Sequence, residues 1–163
     1  MAVPPRDSRT PRVKGSGQAV MTALERLLVD DEHLLRVDAN ERSIPYRLGM
    51  YLQAALPCYQ VDCEYNRTGI DPKRIDLRHP QLDSEDTEGK TVFPDVIAHI
   101  RGTTHNYLVV EFKKSSSTVD RNFDFQKLRG YKGDDRLGYE HALFIELSVG
   151  KQSGIARAEW VDA

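Results

Sequence analysis

The sequence predicts an α/β fold in which a mixed central sheet is flanked by helices. Helical periodicity dominates the first third of the chain, and apolar runs with the patterns of strands follow it. A helical segment at 119–132 then separates two of these runs, which is the order typical of a crossover between strands of one sheet. The 163 residues are enough for one domain with its own hydrophobic core.

Two amphipathic helices are predicted before the first strand. Apolar residues recur at helical spacing over 18–36 and again over 44–56. Pro45 marks the first turn of the second helix, because proline is tolerated there and not further in. Ser43 is a candidate N-cap, and Pro57 ends the helix.

Strand patterns occupy most of the remainder. The strand predicted at 59–66 alternates apolar and polar residues, which indicates one solvent-exposed face. The strand at 141–148 is nearly all apolar, which indicates burial on both faces. An edge strand is expected around 156–161, and the polar connection 68–90 is either a functional loop or a mobile one. The four core strands are predicted at 59–66, 92–100, 106–113 and 141–148.

Residues 1–17 contain little that a core can bury, so we expect a disordered arm ahead of a single domain at 18–163. The basic residues of this arm either contact phosphate or belong to an idle tail. Two cysteines, Cys58 and Cys63, have no second ligand pair that would complete a zinc site, and we expect two reduced thiols.

Composition narrows the functional classes. The net charge of −2 and the pI of about 6.2 argue against a histone-like binder but leave room for an enzyme with a local basic groove. No apolar run approaches the ~20 residues of a membrane span, and the first residues lack the apolar stretch of a secretory signal. We therefore expect a cytoplasmic protein with no membrane partner.

Charged residues interrupt two apolar strand patterns in the segment 92–114. Strand alternation places Glu111 and Lys113 on one face, with Cα atoms ~6.5 Å apart. Asp95 begins the preceding hairpin strand, directly after Pro94, so Asp95 and Glu111 can converge at neighbouring strand ends. Two carboxylates there repel unless a cation lies between them, and Mg²⁺ is the natural occupant.

This constellation predicts metal-assisted hydrolysis of a phosphodiester. Lys113 is placed to hold a nucleophilic water or to steady a developing negative charge. An alternative is structural: Glu111 and Lys113 form an ion pair on an exposed sheet, and Asp95 is a turn residue. The ordered combination of both motifs on two hydrophobic strands followed by a helix is more restrictive than either motif alone.

The pair Pro94-Asp95 followed by Glu111-Phe112-Lys113 resembles the PD-(D/E)XK nuclease superfamily. The resemblance covers about residues 40–148 and implies a restriction-endonuclease-like fold with an αβββαβ core, here with an extra N-terminal helix. It implies an endo- or exonuclease that depends on Mg²⁺, with Mn²⁺ as a substitute, and we expect its substrate to be DNA rather than RNA. Asp95 and Glu111 would be metal ligands and Lys113 the catalytic lysine.

Further site residues follow from the same resemblance. Many members carry an acid on the first core helix that completes the metal shell, and Glu41 is the matching candidate. An acid that complements the helix dipole is the alternative for this residue. Exonuclease-like members have a Gln and a Tyr that orient the substrate or the nucleophile. Gln126 and Tyr131 match them, although four residues intervene instead of three.

Basic residues near the motifs are candidate phosphate contacts. We expect Lys114, Lys127 and Arg67 to contribute to nucleic-acid binding together with Tyr131, with a solvated helix face as the alternative for Lys127. A catalytically inactive nuclease-fold module that binds nucleic acid or protein is the competing function. A phosphohydrolase with a small substrate is a third, which the absence of a Gly-rich phosphate cradle disfavours for triphosphates. The size of the chain is compatible with a homodimer or a larger complex.

Overall fold

The computed structural model describes residues 15–65 and 93–162. Between these two ranges it describes four two-residue strands, which form the antiparallel pairs 67–68 with 71–72 and 74–75 with 90–91. The predicted loop 68–90, apart from these short strands, and the arm before residue 15 lie outside the described residues.

The first predicted helix is divided in two. Helix α1 spans Ser16–Asp30 and helix α2 spans Glu32–Arg36, so the prediction of one continuous helix over 18–36 is wrong at Asp31. The Asp31 carboxylate accepts hydrogen bonds from Arg47 Nε at 2.8 Å and from the Tyr51 hydroxyl at 2.5 Å. These bonds tie the junction between α1 and α2 to the next helix.

Helix α3 spans Ser43–Ala55, with Pro45 in its first turn as predicted. The prediction that Ser43 caps this helix is wrong, because Arg42 holds the N-cap position and makes no side-chain capping bond. Asn40, in the preceding turn, accepts the backbone N–H groups at the start of the helix instead. Its side-chain oxygen accepts from Arg42 N at 2.9 Å, and its backbone carbonyl accepts from Ser43 N at 3.0 Å.

The predicted mixed sheet flanked by helices is confirmed. Five strands lie side by side in chain order, and only the neighbours β3 and β4 run parallel. Helix α4 (Arg121–Gly133) connects these two strands, as expected for a crossover between parallel neighbours. The strands are β1 (Gln60–Cys63), β2 (Val96–His99), β3 (Asn106–Lys114), β4 (His141–Ser148) and β5 (Gly154–Trp160).

Helices cover both faces of the sheet, and β3 shows the division clearly. Leu108, Val110 and Phe112 belong to the core shared with α1 and α3. Val109 belongs to the second core, with the apolar residues of α4. Because side chains alternate along a strand, Glu111 and Lys113 point toward α4.

The predicted solvent-exposed face of β1 is wrong for Asp62. Its side chain is only 16% exposed and bonds His99 Nε2 at 2.7 Å and Arg101 Nε at 2.8 Å. The Tyr65 ring stacks at a tilt on His99, with ring centroids 4.7 Å apart. The face of β1 that the alternating pattern assigned to solvent is therefore covered at Asp62 by His99 and Arg101 of the β2–β3 hairpin.

Helix α3 approaches β1 closely at Gly49. A Cβ atom at this position would lie 3.0 Å from Cys63 Sγ and 3.8 Å from Val61 Cγ1. The absence of a side chain at Gly49 thus allows the helix to pack against the strand that borders the candidate site.

We predict that Gly49→Val lowers the free energy of unfolding by about 1–3 kcal/mol, because the new side chain overpacks the contact with Cys63. The exposed Ala54→Val on the same helix is the matched control and should cost less than about 1 kcal/mol. Urea unfolding measures both. Cys63→Ala should reduce the cost of Gly49→Val, and equal costs with and without Cys63 would contradict the packing argument.

Candidate functional site

A pocket of about 1010 Å³ opens where the N-terminal turn of α3 meets the start of β2 and the end of β3. One wall is the polar turn that contains Asn40, Glu41 and Arg42. The opposite wall is formed by charged residues of the sheet and of α4, namely Asp95, Glu111, Lys113 and Lys127. The structure therefore brings both predicted motifs to one pocket.

Asp95 is fixed by the neighbouring strand. Its Oδ2 accepts the backbone N–H of Phe112 at 2.7 Å, which joins the start of β2 to the end of β3. Burial raises the pKa of Asp95, although the Phe112 N–H and the cations of Lys127 and Lys113 act in the opposite direction. The carboxylate is thus held in place and costly to ionise.

Glu111 is fully buried. Its Oε2 lies 2.6 Å from Lys127 Nζ, while its Oε1 makes no hydrogen bond of standard geometry with a described residue, although the Tyr131 hydroxyl interacts with this carboxyl group. Burial raises the pKa of Glu111 well above its usual range, and the charge of Asp95 raises it further. Asp95 is therefore close enough to disfavour the ionised form of Glu111.

A third acid completes the charged cluster. Asp124, in the first turn of α4, lies 3.2 Å from Lys113 Nζ and 3.3 Å from Lys127 Nζ. Its side chain is only 1% exposed, so Asp124 belongs to the buried interface between α4 and the sheet. Burial lowers the pKa of Lys127, but the charge and the hydrogen bond of Glu111, together with the charges of Asp124 and Asp95, outweigh burial, and the net pKa rises to about 12.

Sequence reasoning missed Asp124. The available signal was its position three residues before Lys127, which places the two side chains on the same helix face. The alternative of a solvated face at Lys127 is wrong, because this side chain is 14% exposed and pairs with Glu111. The face of α4 that carries Asp124 and Lys127 faces the acids of the sheet.

Glu41 lines the same pocket, from the exposed turn before α3. Within 15–65 and 93–162, no three acids, histidines or cysteines come together closely enough to hold one ion. Glu41 therefore does not complete a three-ligand set with Asp95 and Glu111 in this arrangement. Its predicted place in the metal shell stays a prediction.

The other predicted contacts are distributed differently. Tyr131 is fully buried, and burial followed by the charge of Glu111 raises its pKa well above its usual range. Tyr131 therefore lies in the core beside Glu111, and its predicted contact with the substrate is not supported by this position. Gln126 is partly buried on α4, with an Oε1 atom that has no partner among the described residues. The side chain of Arg67 lies outside the described residues.

Lys114 points away from the acids. Its amine lies 2.7 Å from Asp38 Oδ1 and donates to the Ala39 carbonyl at 2.8 Å. Because this amine is already paired, and only 13% of the side chain is exposed, the predicted phosphate contact of Lys114 is not supported. Alternation along β3 explains the difference between Lys113 and Lys114.

Cys63 also lines the pocket. Burial raises the pKa of its thiol to about 11, so the thiol is protonated at neutral pH. Both cysteines are free, as predicted.

Comparisons of the chain with protein-family models, with curated proteins and with solved structures find no match. No helix in the described ranges is both long and apolar enough to cross a membrane. The cytoplasmic location stays a prediction.

We predict that Lys127→Met lowers the free energy of unfolding by about 3 kcal/mol, because it leaves Glu111 and Asp124 buried without this cation. Arg129→Met removes a cation from the exposed side of the same helix and should change stability by less than about 0.5 kcal/mol. Chemical denaturation at neutral pH compares the two variants.

The same experiment includes a double-mutant cycle. Glu111→Gln in the Lys127→Met background should recover part of the loss, because no buried carboxylate then remains at position 111. Strictly additive effects of the two substitutions would show that the pair at 2.6 Å does not contribute.

Proposed function

We propose that this chain is a metal-dependent nuclease with a restriction-endonuclease-like fold that hydrolyses phosphodiester bonds of DNA. The observation that carries the proposal is the convergence of Asp95, Glu111 and Lys113 on one pocket from two adjacent strands. The element order of α3, β1, β2, β3, α4 and β4 supports it, since it follows the αβββαβ core. RNA remains the second substrate class.

The two sheet acids suit a hard cation. Glu111 Oε1 is buried without a hydrogen bond of standard geometry to a described residue, and an oxygen in that state gains from a cation. Asp95 and Glu111 would hold Mg²⁺ or Mn²⁺, with water and substrate phosphate oxygens as further ligands. When bound, such an ion lowers the pKa of its water and polarises a phosphoryl oxygen.

The remaining residues of the site hold the acidic and basic side chains in position or bind the substrate. The Phe112 N–H fixes the Asp95 carboxylate, and Asp124 holds the Lys113 amine at the pocket wall. In this proposal Lys113 positions the attacking water or stabilises negative charge that develops on the phosphate. Arg42, with Nε 3.4 Å from Glu64 Oε1 and a side chain 82% exposed at the pocket wall, is placed to exchange this exposed partner for a flanking phosphate.

One observation favours the alternative of a catalytically inactive module on the same fold. The Lys127 amine already contacts Glu111 at 2.6 Å, and Asp124 already pairs with Lys113. These ion pairs offset much of the buried charge without any bound ion. The two functions differ in whether the acids bind a cation, which is measurable.

We predict that Asp95→Asn, Glu111→Gln and Lys113→Met each lower cleavage at least about 100-fold, because each removes a charge that the reaction uses. The exposed substitutions Glu140→Gln and Lys151→Met are the matched controls and should retain full activity. The assay measures Mg²⁺-dependent cleavage of single-stranded, duplex and structured DNA and RNA. A Lys113→Met protein that cleaves as fast as the parent would exclude the catalytic role of this lysine.

A second prediction concerns the cation itself. Mg²⁺ should raise the free energy of unfolding with the logarithm of its concentration above Kd, by about 2.7 kcal/mol at 100 times Kd, because the folded state alone holds both acids together. Glu111→Gln should abolish this stabilisation, whereas Glu140→Gln should not. If Mg²⁺ has no effect and nucleic acid binds equally well to the Glu111→Gln protein, the inactive module is the correct function.

A further inference from the structure

Strand β5 presents an open edge. It pairs with β4 on one side, and no strand within the described ranges lies on its other side. Its seven residues include no proline, and residues 155–160 are all exposed. Natural proteins usually shorten or block such an edge, and β1 at the opposite edge has only four residues. The pairing with β4 skips Ala156, because the register shifts between Glu146 and Leu147, so the regular part of this edge is 157–160. That part is open to pairing with another strand.

The backbone groups of β5 face outward at alternate residues. Val161 N donates to Ala142 O at 2.9 Å, and the register pairs Glu159 with Phe144 and Arg157 with Glu146. In an antiparallel ladder, alternate residues direct both N–H and C=O toward the partner strand, and here these are residues 157, 159 and 161. Ala158 and Trp160 therefore direct their N–H and C=O groups away from β4.

The side chains at this edge carry opposite charges two residues apart. Arg157 Nε donates to Glu159 Oε2 at 2.9 Å, so both side chains lie on one face of the sheet. The Arg157 guanidinium also lies 4.7 Å from the centroid of the Phe125 ring, which identifies this face as the one covered by α4. Ala158 and Trp160 therefore lie on the opposite face.

We propose that this edge binds the same edge of a second copy of the chain, in an antiparallel arrangement with the two-fold axis at Ala158. In this register Ala158 faces the partner's Ala158, and the outward N–H and C=O groups of the two residues bond each other. Arg157 then faces the partner's Glu159, and Glu159 faces the partner's Arg157. Both copies gain the same two opposite-charge pairs, as a two-fold interface requires.

The charges select this register over its neighbours. A shift that retains the backbone bonds moves the axis to residue 157 or to residue 159. Arg157 would then face the partner's Arg157, or Glu159 would face the partner's Glu159, and like charges directly opposite each other are destabilising.

The resulting dimer has one continuous sheet of ten strands, two copies of the five-stranded sheet. This inference rests on the edge of β5 alone and does not depend on the proposed nuclease function. The residues involved are not part of the charged pocket, so their variants test association separately from chemistry.

Sedimentation velocity over a range of protein concentrations tests the proposal, and we expect a monomer–dimer equilibrium. Glu159→Arg places two arginines opposite each other twice per dimer and should weaken association at least about tenfold. Arg157→Glu should do the same, but it also removes the contact with Phe125. Its thermal unfolding is therefore recorded beside that of the Glu159→Arg protein.

Two recovery experiments make the test specific. The double substitution R157E/E159R restores opposite charges and should restore the dimer. An equimolar mixture of the Arg157→Glu and Glu159→Arg proteins should form a heterodimer, because every facing pair is then of opposite sign. A chain that is monomeric at all concentrations, or a dimer that persists in both single variants, or single variants that fail to recover in the mixture, would overturn the proposal.

Discussion

The burial of Glu111 is the constraint on which the arrangement of the site depends. A carboxyl group with no solvent exposure, in the longest described strand of the sheet, has to be protonated or to lie close to cations. Helix α4 supplies Lys127, and Asp124 on the same helix pairs with Lys113 of the strand. Ion pairs of Asp124 and Lys127 therefore hold one part of the interface between α4 and the sheet. Apolar contacts hold the rest, where Leu128 and Tyr131 belong to the second core.

Local sequence patterns were sufficient for the part of the site that lies on the sheet. Alternation along β3 separates Glu111 and Lys113 from Phe112, and the hairpin brings Asp95 to the same end. The bond from Phe112 N to Asp95 is a consequence of that pairing. These positions are determined by the strand period and a short turn, both of which are readable from the chain.

The other side of the site depends on tertiary packing. Which face of α4 meets the sheet is decided by the crossover to β4, so the roles of Asp124 and Lys127 were not readable from helical spacing alone. The break at Asp31 was not readable from the sequence for the same reason. The helical pattern continues through Asp31, but its side chain bonds Arg47 of α3, a contact that only the tertiary structure provides. The same reason applies to Glu41, whose distance from the acids is decided by an exposed turn before α3.

The charge of the cluster connects its stability to its proposed chemistry. Asp95, Glu111 and Asp124 provide three acids, whereas Lys113 and Lys127 provide two amines, so full ionisation leaves one negative charge. Burial makes that charge costly, as the raised pKa values of Asp95 and Glu111 indicate. Either a proton or a cation can offset it. A proton suffices for a structural cluster, whereas a divalent cation at the buried oxygen of Glu111 would also draw phosphate oxygens into the pocket.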